Sequence, residues 1–71
     1  MNRVAEVNKA LREMGKAEKL TRGRGYYYFR DGDAFAWPTS SVFVYRADQL
    51  TIKEWLAEYA RLAADQAEYR A

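Results

Sequence analysis

The 71-residue chain has no cysteine and no histidine. Without cysteine there is no disulfide, no thiolate nucleophile and no thiolate metal site. Without histidine, acid–base chemistry near neutral pH loses its usual side chain. Long hydrophobic runs are missing too: no stretch approaches the roughly 20 apolar residues that cross a bilayer. From Arg3 onward the N-terminal residues alternate charged and apolar, so they lack the apolar stretch of a secretion signal. These absences lead us to expect a cytoplasmic protein with no membrane partner. A single proline and four glycines leave little room for linkers or low-complexity segments, and we find no internal repeat. One domain is expected, because a chain this short has no material for a second core.

What the chain has in quantity is aromatic rings: six Tyr, three Phe and two Trp. A domain of this size buries only about 60% of its unfolded surface and is marginal unless something supplements its core. Each buried ring removes roughly 150–250 Å² from water, so aromatics can supply that supplement; self-association is the other common source. The net charge of +2 is unevenly spread. Residues 1–30 carry eight Lys/Arg against three Glu, whereas residues 31–50 and 51–71 are net −2 and −1. The basic excess therefore lies in the first helix and the approach to the first aromatic strand.

Val4, Val7, Leu11 and Met14 recur at three- and four-residue steps, which predicts an amphipathic helix over about residues 3–14. Gly15 is placed to end it. Residues 16–25, with Arg22-Gly23-Arg24-Gly25, read as a short extended piece and a turn. Tyr26-Tyr27-Tyr28-Phe29-Arg30 favours strand by composition, and Asp31-Gly32 supplies a hairpin turn. The expected strands cover about residues 25–30, 33–37 and 42–46, with Pro38 closing the second. Alternation sets Tyr27 and Phe29 opposite Tyr26 and Tyr28, and puts Phe35 with Trp37. Thr51 and Glu54 form a capping box, and Leu50 with Trp55 fits a hydrophobic staple. Ile52, Trp55, Leu56, Tyr59, Leu62 and Ala63 then mark a helix over about 52–66. The expected fold class is α+β: helix, three-stranded antiparallel meander, helix.

Few side chains here suit catalysis. Thr21, Thr39, Ser40 and Ser41 lack an evident base, and Asp31 with Asp33 reads as a turn rather than a Ca²⁺ shell. No enzyme, cofactor or metal is expected. Binding has better material. Arg22 and Arg24 among flexible glycines can reach phosphates, and Arg30 extends the patch. Arg24-Gly25-Tyr26-Tyr27-Tyr28 partly matches the basic–Gly–aromatic–small–aromatic strand of RNA-recognition domains, with Tyr27 where a small residue belongs. The helix–strands–helix order also matches double-stranded-RNA-binding domains, but Thr51-Ile52-Lys53-Glu54 offers one lysine where those carry a cluster. The expected binding residues are Arg22, Arg24, Tyr26, Tyr28, Arg30 and Trp37.

Gly25-Tyr26-Tyr27-Tyr28-Phe29, Trp37, Ser41-Val42-Phe43-Val44-Tyr45, Leu50-Thr51 and Trp55-Leu56 together resemble a recurring kind of small proteobacterial prophage protein. The resemblance spans about Gly15 to Leu62. It implies a mobile-element setting, in which proteins of this size often obstruct host machinery, anti-CRISPR inhibitors among them. No catalytic residue comes with it. The expected function is thus a non-enzymatic phage-type protein that inhibits or modulates a host protein or nucleoprotein complex by contact. Direct nucleic-acid binding through the basic loop and aromatic strand is the alternative, and a homodimer formed through the sheet is a third.

Overall fold

The computed structural model describes the backbone of residues 2–70 and the side chains of residues 2–65. The elements are α1 (Arg3–Glu13), β1 (Lys19–Arg22), β2 (Tyr27–Arg30), β3 (Ser41–Val42) and α2 (Ile52–Arg70), with short 3₁₀ turns at Ala34–Ala36 and Ala47–Gln49. The strands form one antiparallel sheet in the order β1-β2-β3. The fold is α+β, with helix, meander and helix in sequence. No helix among the described residues is long and apolar enough to cross a membrane.

Local chemistry explains both helix starts. Asn2 caps α1 by accepting the Ala5 amide at 2.7 Å. At α2 the capping box is complete: Glu54 accepts the Thr51 amide at 2.9 Å and Thr51 accepts the Glu54 amide at 3.1 Å. Gly15, at φ 76°, ends α1, and the Lys16 amide reaches back to the Leu11 carbonyl at 2.9 Å. That left-handed position is one glycine adopts without penalty.

Both helices lie on one side of the sheet. The core joins Val7 and Leu11 of α1, Leu20, Tyr27, Phe29 and Val42 of the strands, and Trp55, Tyr59 and Leu62 of α2. Trp55 is fully buried; its ring meets Tyr27 and Phe29 edge-on, and its indole N–H donates to the Ala47 carbonyl at 2.8 Å. Such edge-to-face contacts add roughly 0.5–1.5 kcal/mol each beyond the area buried. Among the described residues, no helix packs on the opposite face of the sheet.

The strands fall partly elsewhere than the sequence suggests. Lys19–Arg22 is a strand although Leu20 is its one apolar residue. It pairs with β2, and Asn8 completes its free edge, donating to the Leu20 carbonyl at 3.1 Å and accepting the Leu20 amide at 2.7 Å. The main hairpin is therefore β1–β2, turning through Gly23–Tyr26. Residues 33–37 are not a strand. Asp31 and Gly32 do take positive φ, 66° and 56°, but the chain then enters a 3₁₀ turn. Ala34 and Trp37, three residues apart, are both buried, while Phe35 is 87% exposed. That is the 3₁₀ period, and it separates Phe35 from Trp37. The third strand pairs only over Ser41–Val42, because β2 ends opposite it at Tyr27. Residues 43–47 are held by side chains instead: Gln49 accepts the Tyr45 and Arg46 amides, each at 2.7 Å, and the Tyr27 hydroxyl accepts the Ala47 amide at 3.2 Å. The last helix runs to Arg70, past the expected end near 66.

Candidate functional site

The uncovered sheet face collects the outward residues of all three strands. Registers Lys19–Arg30, Thr21–Tyr28 and Tyr28–Ser41 set these side chains together. Tyr28 touches Tyr26, with centroids 5.9 Å apart, and Tyr26 touches Phe43 at 6.1 Å. The two tyrosines are half-buried by one another and by the sheet, and Phe43 is 80% exposed. A chain of three aromatic rings therefore lies open on a twisted sheet.

Tyr26 owes its place to Gly23 across the hairpin. A β-carbon at Gly23 would lie 2.6–2.8 Å from three carbons of the Tyr26 ring, closer than any side chain tolerates. Only glycine lets the phenol fold flat over the turn and reach Phe43. The Gly23 amide donates to the Tyr26 carbonyl at 2.8 Å and fixes the same geometry.

Cations border the rings. Lys19 and Arg30 face each other at one end, and exposed Arg24 stands at the hairpin tip. Asp31 lies beside this face, 3.8 Å from Arg30, with both side chains more than half exposed. A pair so solvated contributes little and leaves most of the Arg30 charge available.

Of the six residues singled out from sequence, Tyr26, Tyr28 and Arg30 share this face, and Arg24 stands at its edge. Arg22 does not join them. It lies on the helix-facing side of β1, two residues from buried Leu20, and emerges at the rim of a cleft with Tyr45. Trp37 is in the core, 8% exposed and packed on Phe29 and Tyr59 with centroids at 6.2 and 5.6 Å. Its burial follows from the 3₁₀ turn, which points it inward where a strand would have paired it with Phe35. Phe43 was missed as a site residue, although its place after Val42 in an alternating strand marks it as outward-facing.

One buried charge lies away from this face. Glu18, 6% exposed, accepts the Tyr59 hydroxyl and the Asp33 amide, the latter at 2.7 Å. Burial alone would raise its carboxyl pKa, but the bonds from Tyr59 and Asp33 outweigh it and hold the group below the ordinary carboxylate value. The Tyr59 phenol is pushed well above its usual range by burial and by the Glu18 carboxylate. Every strong partner of this pair lies within the fold, so we read it as a pin joining the 31–34 turn to α2.

The chain matches no protein-family model, no curated protein and no solved structure.

Proposed function

We propose that the protein is a non-catalytic binding module whose helix-free sheet face takes single-stranded nucleic acid. The observation that carries this reading is the line of touching rings, Tyr28, Tyr26 and Phe43, open to solvent and bordered by Lys19, Arg24 and Arg30. Aromatic rings stack any base at roughly 1–3 kcal/mol each, and nearby cations hold the backbone. A duplex hides its base faces, so this arrangement suits unpaired strands.

The reading has a quantitative test. With three cations on three phosphates, log K should fall against log salt with a slope of about −2. Affinity for a short single strand should then drop about twentyfold between 50 and 200 mM salt. Phe43→Ala should weaken binding roughly tenfold or more through lost stacking, with the fold intact because the ring is exposed. Fluorescence anisotropy with single- and double-stranded probes measures both. Absence of binding at low salt would remove the proposal.

Contact with a host protein or nucleoprotein complex, in the mobile-element setting that the resemblance implies, is the second reading. What favours it is Phe35, 87% exposed and outside the basic face. Exposed rings of this kind anchor protein interfaces. A size-exclusion shift with defence complexes that Phe35→Ala abolishes would support it over the first.

A further inference from the structure

The three rings of the uncovered face are not held alike. Tyr28 lies within the paired part of β2, opposite Thr21 on one side and Ser41 on the other. Tyr26 is fixed by the hairpin, through the close approach of Gly23 and the bond from the Gly23 amide. Phe43 lies one step past the last ladder pair, Tyr27 with Val42. There the Val44 amide folds back to the Val42 carbonyl at 3.1 Å, a three-residue turn centred on Phe43. The ring is thus exposed and carried on backbone outside the ladder, yet its centroid is 6.1 Å from that of Tyr26.

What holds this segment lies downstream. Val44 packs against the core. Ala47 is tied by both backbone groups, its amide to the Tyr27 hydroxyl at 3.2 Å and its carbonyl to the Trp55 indole at 2.8 Å. Between them the Gln49 side chain turns back, and its Oε1 accepts the Tyr45 and Arg46 amides, each at 2.7 Å. The Arg46–Asp48 pair spans the same turn, but both side chains are more than half exposed and the pair adds little. Gln49 is itself exposed, so packing does not hold it there.

We infer that Gln49 is a positioning residue for the nucleic-acid face: by clasping Tyr45 and Arg46 it keeps the turn at Phe43 closed and the ring against Tyr26. The inference rests on the single-strand reading above. With Val42 in the ladder and Ala47 pinned to the core, residues 43–46 form a short bridge between two fixed ends. One acceptor on two adjacent amides removes much of the freedom left to that bridge. Without it both amides turn to water, and an exposed ring has little contact of its own to oppose the change. A ring that leaves Tyr26 must be ordered again when a base stacks on it, and that cost is taken from its contribution to binding.

The experiment compares wild type with Gln49→Met, which keeps the length but loses the strong acceptor, and with Gln49→Glu, which keeps it. The first readout needs no ligand: nuclear Overhauser contacts between the Phe43 and Tyr26 ring protons. They should be present in wild type and Gln49→Glu and lost in Gln49→Met. The second is affinity for a short unpaired oligonucleotide. Gln49→Met should weaken it about fivefold, within the roughly tenfold lost by Phe43→Ala. In a chain that already carries Phe43→Ala, the same change should cost less than about twofold. Ring contacts that persist in Gln49→Met would overturn the inference. So would an equal loss of affinity with and without the Phe43 ring, the mark of a general loosening of the fold. Lost contacts with unchanged affinity would overturn the role in binding. If wild type itself fails to bind, the single-strand reading falls and the binding role of Gln49 with it, while the ring contacts still decide whether Gln49 places Phe43.

Discussion

Replacing Glu18 by Gln tests the buried pin between the 31–34 turn and α2. The amide keeps the shape of the carboxylate but loses its charge and turns one acceptor into a donor. Two hydrogen bonds are affected, from the Tyr59 hydroxyl and the Asp33 amide. Bonds to a charged group contribute about 1.5–3 kcal/mol and neutral ones about 0.5–1.5, so the exchange should remove about 2 kcal/mol at pH 7. For a domain of this length that lowers Tm by roughly 8–16 °C. The dependence on pH is specific. The folded-state pKa of Glu18 is depressed, so its contribution is full above the unfolded value of about 4.3 and is lost as pH falls through the lower folded value. Urea unfolding of the two proteins should differ at pH 7 and converge in acid, as the pH falls through the depressed folded-state value. Tyr59 has the opposite sign: its raised folded pKa makes a contribution that is full below about pH 10 and declines as pH rises further. Tyr59→Phe should abolish that alkaline decline. Equal stability of Glu18→Gln and wild type at pH 7, or a gap that does not narrow as the pH is lowered, would refute the assignment of the charge as the anchor.

Substitutions at three further positions probe other parts of the account. Gly23→Ala displaces the Tyr26 ring, whose carbons lie 2.6–2.8 Å from the new methyl position; strand affinity should fall toward that of Tyr26→Ala, while the melting temperature, read by circular dichroism, changes by only a few degrees. Asn8→Ala removes both bonds to Leu20 and leaves the middle of the β1 edge unpaired; about 1–3 kcal/mol should be lost, and light scattering should detect self-association through the exposed edge. Trp37→Ala should lose about 3–5 kcal/mol in a guanidinium titration, as expected of a core indole. Trp37→Phe should fold and bind strands as wild type does; if it instead bound as weakly as Phe43→Ala, Trp37 would belong to the site after all.

The parts of this fold that were legible in the sequence are those encoded locally. The capping box at Thr51 and Glu54, the stop at Gly15 and the 3.6-residue stripes of both helices depend on neighbours in the chain. So does the split of Tyr27 and Phe29 from Tyr26 and Tyr28, which needs only strand alternation. The parts that were not legible depend on distant partners. Lys19–Arg22 has one inward apolar residue and becomes a strand through β2 on one side and Asn8, 12 residues away, on the other. Ala34–Trp37 fits a period of two as well as three by composition. The choice falls to three because Phe29 and Tyr59 form a slot for Trp37, and because Glu18 holds the Asp33 amide. The same ambiguity put Trp37 in the expected site and left Phe43 out of it. Arg22 was picked for its charge, but the register that sends it to the helix side is invisible without the pairing.

The most direct test of the central claim is a titration of the isotopically labelled protein with a short unpaired oligonucleotide, followed by amide and aromatic chemical shifts. The account predicts that shifts concentrate on Lys19, Thr21, Tyr26, Tyr28, Arg30 and Phe43 and fade as salt is raised. Shifts confined to the exposed side of α2, or none at concentrations where a control single-strand-binding protein saturates, would contradict it.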